Sequence, residues 1–588
     1  MQSRNWRIQP YDAGRVADLA RAADVSPVVA GLLLGRGFDD PRRIKAFLDP
    51  KLTFLRPPEE LPGCQAAAEA LHRAIEARRR IVVYGDYDVD GMSGTAVLYL
   101  CLRLLGADVG YYIPHRMDEG YGLNDEALAE LASRGTQTIV TVDCGITSCA
   151  QARKARELGL ELIITDHHQP DAELPDAAAL VHPALPGTEY PFAGLSGSGV
   201  ALKLAWALCQ QAAGAKKVGQ RMRNFLLQAV GLASLGTVAD VVPLVDENRV
   251  LVRHGLVSLA NQPTLGIARL MKLAKVEPSH PRGGSPSLSA EHVAFQLAPR
   301  LNAAGRLGQP LLGVELLVTD RPERAEELAA YIDRLNENRK TLELRVRRAA
   351  IKQAETQFDP KNDPALVLAD RGWHPGIIGI VAGRLAEKYH RPVVLVGLDE
   401  TGVKPGAGSA RSVPGFNLHE ALAQCDDLLL SHGGHAAAAG LKVEEARLPA
   451  FREAFCETAA RATAGGQARP DLLIDGEAPL SAFTMQAVEQ IESLAPFGEG
   501  NRRPVLCASG VTLDGEPRTM GGGDRHLSLR LRQDRAGFRA VAFDCADWAE
   551  PLARQGQPFE IAFHPMINHF NGRRNVELQL LDWRPTPG

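Results

Sequence analysis

The chain has 588 residues, which is more than one hydrophobic core usually organises, so we expect several domains. Hydrophobic residues make up 45% of the sequence and charged residues 23%, a balance that argues against extensive disorder. The formal net charge of -4 gives no support to a uniformly basic nucleic-acid-binding protein, so any phosphate-binding surface must be local.

The cysteines and the N-terminal residues indicate the cellular compartment. None of the nine cysteines forms a CxxC pair, which argues against a structural zinc site. The N-terminal sequence has no apolar signal segment, and no stretch reaches the roughly 18 apolar residues that a spanning helix needs. We therefore expect a cytoplasmic protein with reduced thiols and no membrane partner.

The N-terminal half of the chain alternates between helical and strand-like patterns. Residues 1–50 predict short helices, which we interpret as a cap on the domain that follows. The runs at 81–84, 138–142 and 162–165 are apolar without polar alternation, which indicates strands covered on both faces and therefore a parallel sheet. Ligands of such sheets bind beyond the carboxyl ends of the strands, and polar residues stand at those ends here.

A charged segment at 322–357, with apolar residues at helical spacing, predicts one long helix between two domains. Strand-like runs at 365–370 and 391–397 predict a second α/β unit. The stretch 462–471, which contains glycines and a proline, predicts a linker. Short strands and turns after it, including a turn at Asn571–Gly572, predict a small β-barrel.

These elements predict an α/β protein with a parallel-sheet domain, a long connecting helix, a smaller α/β domain and a terminal β-barrel. No internal repeat or low-complexity tract interrupts them. The predicted divisions are a helical cap at 1–60, the first α/β domain at 61–318, the connecting helix at 319–360, the second α/β domain at 361–463 and the barrel at 464–588.

Three carboxylates follow the first predicted strand, in the segment Gly85–Gly91. Asp86, Asp88 and Asp90 stand at alternate positions, so in extended backbone their side chains would converge on one spot. Such anions repel one another unless divalent cations bind them. A calcium loop of the EF-hand kind is excluded, because its twelfth position holds Val97 in place of glutamate.

Further candidate ligands follow the other two strands. The second strand ends in Asp143, and the third ends in Asp166, His167 and His168. Asp240 stands in an apolar run, where an ionised carboxylate is costly unless it is paired or binds metal. Each aspartate alone would be interpreted as a helix cap, and adjacent histidines alone are a weak signal, but three consecutive strands that end in such residues indicate a site. The mixed oxygen and nitrogen donors suit manganese or magnesium.

The ordered segments GDYDVDG, VDCGIT, TDHH and GTVADVVPL resemble the four motifs of the DHH phosphoesterases, and the RecJ branch of that family in particular. The resemblance implies two Mn²⁺ or Mg²⁺ ions in a catalytic site formed by Asp88, Asp90, Asp143, His167 and Asp240. Asp86 stands near a position where many relatives carry a histidine ligand, so we include it in the metal site. The resemblance implies that Asp166 orients the ligands and that His168 contacts the substrate in the catalytic site.

Later segments resemble DNA-binding motifs of the same branch. The segment Pro114–Leu123 carries an arginine that is implied to contact a terminal phosphate, and guanidinium groups match phosphate geometry. Gly433–Gly440 resembles the signature of a DHHA1 domain, and Ala495–Pro504 resembles the RecJ OB-fold, which binds single strands. Taken singly, each of the residues concerned would read as an ordinary ion pair, cap or surface group. The implied phosphate- or nucleic-acid-binding residues are Arg116, Arg300, Asn302, Arg306, His374, Ser409, Arg411 and His435.

The resemblance implies an exonuclease that hydrolyses single-stranded DNA from 5′ to 3′ into mononucleotides, in DNA repair and recombination. Its implied partners are a single strand with a 5′ end, a single-strand-binding protein and a helicase, and we expect a monomer. One alternative is a DHH phosphodiesterase on oligoribonucleotides or cyclic dinucleotides, against which the length of the chain argues. Another is a non-catalytic Cdc45-like scaffold, against which the complete ligand set argues. Gly197–Gly199 lacks the G-x-S-x-G frame of a nucleophile and reads as a helix entry.

Overall fold

The computed structural model describes residues 4–116, 119–279, 286–359, 362–463, 471–570 and 573–586. Most of the predicted linker at 462–471 and the predicted turn at Asn571–Gly572 lie outside them. The chain divides into two compact units. The smaller unit consists of Met1–Arg56, Val241–Arg253 and Ala468–Gly588, and the larger unit consists of Pro57–Asp240 and His254–Gln467.

Helices make up much of the larger unit. None of the described helices is both long and apolar enough to cross a membrane. The α-helices of the described residues are α1 (Ala13–Ala23), α2 (Pro27–Gly35), α3 (Pro41–Leu48), α4 (Cys64–Glu76), α5 (Val89–Leu104), α6 (Asp125–Ser133), α7 (Cys149–Glu157), α8 (Gly197–Ala213), α9 (Gln220–Ala239), α10 (Asp246–Asn261), α11 (Leu265–Ala274), α12 (Ala290–His292), α13 (Ala298–Arg306), α14 (Pro310–Val318), α15 (Pro322–Gln357), α16 (Pro375–Tyr389), α17 (Leu418–Ala423), α18 (Leu448–Thr463), α19 (Met485–Glu492) and α20 (Ala549–Arg554).

The strands form three main sheets. The strands of the described residues are β1 (Asn5–Ile8), β2 (Ile81–Tyr84), β3 (Val109–Tyr112), β4 (Thr138–Thr141), β5 (Glu161–Thr165), β6 (Ala179–Val181), β7 (Leu366–Arg371), β8 (Val393–Leu398), β9 (Gly406–Arg411), β10 (Ser431–Gly434), β11 (Ala438–Val443), β12 (Asp471–Ile474), β13 (Gly476–Glu477), β14 (Leu506–Leu513), β15 (Arg518–Met520), β16 (His526–Gln533), β17 (Ala536–Ala542), β18 (Phe559–Phe570) and β19 (Arg573–Pro585).

The first sheet of the larger unit has the order β3-β2-β4-β5-β6, and every neighbouring pair in it is parallel. All residues of β2 and β4 are buried, as their continuous apolar sequence predicts. The parallel-sheet prediction is therefore confirmed. Because the strands are parallel, the segments that follow β2, β4 and β5 all leave the same edge of the sheet, where ligands of such sheets bind.

The second sheet of the larger unit has the order β10-β11-β9-β8-β7, in which β7 and β8 are parallel and the other pairs are antiparallel. The predicted long helix is confirmed as α15, and its 36 residues span about 54 Å at 1.5 Å per residue. Val346, Ala350 and Ala354 near its C-terminal end pack in one core with Ile377 and Val381 of α16. The long helix is therefore part of the second α/β core as well as a connector.

The smaller unit contains residues from both the N-terminal and the C-terminal parts of the chain. Its seven-stranded sheet has the order β13-β14-β18-β19-β17-β16-β15, and β14 pairs in addition with β16. Strand β1, which the sequence did not predict, pairs in parallel with β12. Leu19, Val29 and Ile44 of the N-terminal helices share a hydrophobic core with Phe483 and Phe563. The short helices at 1–50 were predicted, but we expected them to cap the next domain along the chain. They pack instead with the C-terminal sheet, because the apolar faces that cover them lie more than 400 positions away in sequence.

Candidate metal centre

The aspartates of the first motif stand at the junction between β2 and α5. Asp88 is the N-cap of α5, and its side chain accepts hydrogen bonds from the backbone N–H groups of Asp90 at 2.9 Å and Gly91 at 3.0 Å. The helix therefore begins at Val89. The predicted extended geometry is wrong at this point, because the helix places Asp90 in a different ligand group from Asp86 and Asp88.

Three overlapping groups of carboxylates and histidines follow the strands of the parallel sheet. In each group, one potential ligand atom from every residue lies within 4.8 Å of the others. Because Asp143 and His167 each belong to two groups, the three groups form one continuous cluster. The groups are Asp86 with Asp88 and Asp143, Asp90 with His167 and Asp240, and Asp143 with His167 and His168. All six residues predicted to ligate metal are among them.

His167 stands at the centre of this cluster. Its Nε2 atom lies 3.0 Å from Oδ1 of Asp143 and 3.5 Å from Oδ2 of Asp240. The same nitrogen lies 3.9 Å from Oδ2 of Asp90. The residues that meet at this imidazole come from the segment after β4, from α5 and from the C-cap of α9, and they are far apart in sequence.

Several polar atoms of the cluster are buried and make no hydrogen bond among the described residues: Oδ1 of Asp86, Oδ1 of Asp143 and Nε2 of His167. The last two are in contact, but the contact is not a hydrogen bond. Buried polar atoms are rarely left in this state, because an unsatisfied group loses its hydration without compensation. Carboxylate oxygens and imidazole nitrogens in overlapping groups are the donors that a divalent cation requires. The residues present therefore fit Mn²⁺ or Mg²⁺.

Asp90 is held in place by the start of α8. Its carboxylate accepts hydrogen bonds from the backbone N–H groups of Gly197 at 2.6 Å and Ser198 at 3.1 Å, and from the Ser198 hydroxyl. A helix N-terminus favours an anion at this position. Gly236 of α9 allows the close approach, because a Cβ at that position would lie 2.3 Å from Oδ1 of Asp90. Gly197–Gly199 is confirmed as a helix entry, and it also positions a carboxylate.

Asp166 contacts both histidines of the third motif. Its carboxylate accepts hydrogen bonds from the backbone N–H groups of Ile146 at 3.0 Å, His167 at 2.7 Å and His168 at 3.1 Å. It also lies 2.8 Å from Nδ1 of His168. Burial alone would raise the pKa of Asp166, but its hydrogen bond to His168 and the other contacts lower it to about 2. Burial alone would lower the pKa of His168, but Asp166 raises it to about 9.

The carboxylates of the cluster are buried and repel one another. Burial, followed by the charges of neighbouring aspartates, raises the pKa of Asp86 and Asp143 well above the ordinary value. The same causes raise the pKa of Asp240 to about 9. Burial lowers the pKa of His167, so its imidazole is neutral near pH 7 and can donate a lone pair to a metal. A cation would relieve the repulsion between these carboxylates.

We expect Mg²⁺ to bind more tightly as the pH rises from 6 to 8.5. A ligand carboxylate must be ionised, and Asp240, with a pKa of about 9, still holds a proton near pH 7 that the ion must displace. Isothermal titration calorimetry at pH 7, in two buffers with different ionisation enthalpies, counts the released protons. We expect about one proton or more per protein. An affinity that does not change with pH, together with no proton release, would contradict the raised pKa of the carboxylates.

A second cluster gathers guanidinium groups from three separate segments. Burial, followed by the charges of Arg116, Arg339 and Arg411, lowers the pKa of Arg306 to about 10. The guanidinium of Arg116 lies 4.7 Å above the ring of Tyr87. Arg306 donates to the carbonyl oxygen of Gly376 at 3.2 Å. The ion pairs within the described residues do not include Arg116, Arg306 or Arg411. We call these three arginines the arginine cluster. Their charges repel one another, and no ion pair among the described residues neutralises them, so they suit a polyanionic ligand.

Ser409 and Arg411 stand together on β9. Arg411 donates through Nη1 to Oγ of Ser409 at 3.1 Å and to the carbonyl oxygen of Ala410 at 2.8 Å. Burial and the charge of Arg116 lower the pKa of Arg411. The structure therefore brings together four of the predicted phosphate-binding residues: Arg116, Arg306, Ser409 and Arg411.

The other predicted phosphate-binding residues lie in different surroundings, and their roles stay predictions. Arg300 pairs with Asp333 of α15, at 2.8 Å between Nε and Oδ1. Asn302 is half-buried on α13. His374 is the N-cap of α16, and its Nδ1 accepts a hydrogen bond from the N–H of Gly376. His435 is exposed in the turn between β10 and β11. In the segment Pro114–Leu123, positions 117 and 118 lie outside the described residues.

Sequence reasoning missed three supporting residues. Ser198 donates its hydroxyl to Asp90, and Tyr87 underlies Arg116. The Tyr121 hydroxyl donates to the carbonyl oxygen of Asp143 at 2.9 Å and lies 3.0 Å from Nδ1 of His168. Each of the three stands inside or beside a quoted motif. Their position in or next to the motifs was the one feature of the sequence that could have identified them. Their contacts depend on residues in other motifs, which the sequence alone does not reveal.

Comparisons with known proteins agree with this arrangement. Residues 80–233 match the family model of the DHH family N-terminal domain, residues 362–461 match the DHHA1 domain, and residues 474–582 match the RecJ OB domain. Together with the parallel sheet and its carboxylate and histidine cluster, these matches place the chain in the class of DHH proteins that carry a DHHA1 and an OB domain.

Three known proteins and structures resemble the whole chain. The single-stranded-DNA-specific exonuclease RecJ of Bacillus subtilis (strain 168) is 37% identical over 578 residues, which cover 98% of this chain and 70% of that protein. The crystal structure of RecJ in complex with Mn²⁺ from Thermus thermophilus has a TM-score of 0.82 at 34% identity, and covers 100% of this chain and 81% of that chain. The corresponding complex with Mg²⁺ has a TM-score of 0.75 at 32% identity, and covers 99% of this chain and 79% of that chain.

The chain belongs to the RecJ family. The resemblance read from the sequence motifs, including its DHHA1 and OB-fold parts, is therefore confirmed.

Proposed function

We propose that this protein is a metal-dependent exonuclease that hydrolyses single-stranded DNA from its 5′ end and releases mononucleotides. One observation supports the proposal more strongly than the others. Arg116 of the arginine cluster lies over the ring of Tyr87, and Tyr87 stands between the metal-cluster residues Asp86 and Asp88. A site that can hold a terminal phosphate therefore adjoins a site that can hold divalent cations. The name of the Bacillus subtilis relative, a single-stranded-DNA-specific exonuclease, supports the choice of substrate.

The metal cluster would hold two Mn²⁺ or Mg²⁺ ions through Asp86, Asp88, Asp90, Asp143, His167 and Asp240. When bound, such ions activate a water molecule and stabilise the charge that develops on the leaving oxygen of a phosphodiester. His168, which Asp166 keeps protonated, can donate a hydrogen bond to a phosphate oxygen. Ser198 and the N-terminus of α8 keep the Asp90 carboxylate in its orientation.

The arginine cluster gives the proposed direction of degradation. A 5′-terminal phosphate carries more negative charge than an internal phosphodiester, so Arg116, Arg306 and Arg411 favour that end of the strand. With the terminal phosphate held there, the adjoining phosphodiester faces the metal cluster. Hydrolysis then removes nucleotides in the 5′ to 3′ direction.

Further parts of the proposal follow from family membership. We propose that the protein acts as a monomer in the cytoplasm, in DNA repair and recombination, together with a single-strand-binding protein and a helicase. The five-part division at 1–60, 61–318, 319–360, 361–463 and 464–588 also belongs to the proposal. In that division, the OB-fold region contributes to binding of the single strand.

Labelled DNA strands test the proposal. The protein is incubated with single strands labelled at the 5′ or the 3′ end, and with a matched duplex, in Mn²⁺, Mg²⁺ or chelator. We expect the 5′ label to be released first as a mononucleotide, the duplex to resist, and chelator to stop the reaction. Release of mononucleotides from the 3′ end first, or equal degradation of the duplex, would overturn the proposed direction or strand preference.

A further inference from the structure

Phe295 is the most exposed aromatic residue among the described side chains, at 76% of its maximum. It lies in the π-helical turn Val293–Leu297, directly before α13. Single π-helical turns inside helical segments are rare in proteins. Where they occur, they often lie at functional sites. Val293 and Leu297, at the two ends of the turn, are completely buried. The turn is therefore anchored in the core, and it presents Phe295 to solvent from a fixed backbone.

The helix that follows the turn leads from Phe295 to the arginine cluster. Leu297, Leu301 and Gly305 are buried, whereas Phe295 is exposed and Asn302 and Arg306 are half-buried. The last three residues therefore lie on the face of the turn and α13 that is turned away from the core. The far end of α13 packs directly on the first motif, because a Cβ at Gly305 would lie 2.1 Å from the carbonyl oxygen of Tyr87. This face of the turn and α13 thus carries an exposed ring at one end and a guanidinium of the arginine cluster at the other.

The length of this face fits a short run of nucleotides. Phe295 and Arg306 are separated by eleven residues, which is about 16 Å along a helix. A stacked strand rises about 3.4 Å per nucleotide, and an extended strand rises more, so this distance corresponds to about five nucleotides or fewer. Exposed aromatic rings bind single strands by stacking on the bases, whatever the sequence of the strand.

We propose that Phe295 stacks on a nucleobase of the single strand, within about five nucleotides of the end held by the arginine cluster. This inference rests on the proposed function, which supplies the strand. It adds a strand-binding residue to the larger unit itself, outside the OB-fold region.

The test uses the full-length protein with Mn²⁺ and a 5′-phosphorylated 20-nucleotide thymidine strand labelled at its 3′ end. The disappearance of the full-length strand gives kcat and KM for the first cleavage. We expect Phe295→Ala to raise KM about 10-fold with little change in kcat. Phe295→Tyr should keep the wild-type KM, whereas Phe295→Leu, which is apolar but has no flat ring, should behave like alanine. Phe54→Ala removes another exposed ring, 48% exposed and remote in sequence, and should leave KM unchanged.

A set of strands with one abasic residue at each of the first eight positions locates the contact. In the wild-type protein, an abasic residue at one or two neighbouring positions should raise KM to the same extent as Phe295→Ala. In the Phe295→Ala variant, the same strands should show no further loss, because the stacking partner is already absent. A role in folding alone would not produce this dependence on one position of the DNA.

The outcomes separate the two proposals. An active wild-type protein whose KM is unchanged by Phe295→Ala, or is kept by Phe295→Leu, overturns the inference alone. A variant that loses affinity equally for intact and abasic strands at every position also overturns it. A wild-type protein that leaves the single strand intact in Mn²⁺ and in Mg²⁺ overturns the proposed function, and the inference with it.

Discussion

Replacing Asp240 by alanine is expected to lower kcat on single-stranded DNA by about three orders of magnitude or more, because a metal ligand contributes several kcal/mol to the transition state. The carboxylate of Asp240 lies 3.5 Å from Nε2 of His167 and belongs to the same ligand group as Asp90. Its loss would leave that group with one carboxylate and one imidazole. The measurement is kcat for a 5′-phosphorylated single strand at saturating Mn²⁺.

The fold should survive the substitution. Asp240 is the C-cap of α9, where the helix dipole disfavours an anion, and its pKa is already raised by burial and neighbouring carboxylates. Thermal unfolding in chelator should therefore occur at the wild-type temperature or slightly above it. The control Asp320→Ala removes an exposed aspartate 3.5 Å from Arg103 and should keep full activity. If Asp240→Ala retains activity within about tenfold of wild type, Asp240 is not a metal ligand.

Replacing Arg411 by alanine is expected to lower kcat/KM about 100-fold on a strand with a 5′ phosphate, and much less on a strand with a 5′ hydroxyl. Hydrogen bonds from a guanidinium to a charged phosphate contribute about 1.5–3 kcal/mol, and only the phosphorylated end can make them fully. The measurement is kcat/KM for the two strands, which differ only at the 5′ terminus.

Two further variants test why Arg411→Ala loses kcat/KM on the phosphorylated strand. Arg411→Lys should restore little of the lost preference, because an ammonium group cannot make the paired contacts of a guanidinium. Arg345→Ala removes an exposed arginine of the long helix and should leave both strands unaffected. Loss of Arg411 also relieves repulsion from Arg116, so we expect no fall in the unfolding temperature. An equal loss of kcat/KM on both strands would assign Arg411 to the general binding of DNA and remove it from the recognition of the 5′ phosphate.

Two central strands of the larger unit, β2 and β4, were predictable because their buried sequences do not alternate between apolar and charged residues. The runs at 81–84 and 138–142 correspond to β2 and β4, and the charged run at 322–357 corresponds to α15. Edge strand β3, by contrast, was not predicted, because its sequence VGYY is only half-buried and contains a glycine. Local periodicity thus identifies buried elements well, and it identifies half-buried edge elements poorly.

The candidate ligands were predictable because each follows a buried strand or stands in an apolar run. Their supporting contacts were not. Ser198 reaches Asp90 across 108 positions of sequence, and only the folded chain brings them together. Arg300 stands near Arg306 in the sequence, but it pairs with Asp333 on the next long helix, and its role as a phosphate ligand stays a prediction. Such pairings depend on tertiary packing, which a local pattern does not encode.

The central claim is that carboxylates and imidazoles from separate segments bind a pair of divalent ions at the carboxyl edge of the parallel sheet. Anomalous diffraction from crystals grown with Mn²⁺ tests it most directly. We expect two peaks about 3.5–4 Å apart, within bonding distance of the groups that contain Asp143 and His167. Mn²⁺ bound elsewhere, or held at this edge by one carboxylate alone, would contradict the proposed two-metal site.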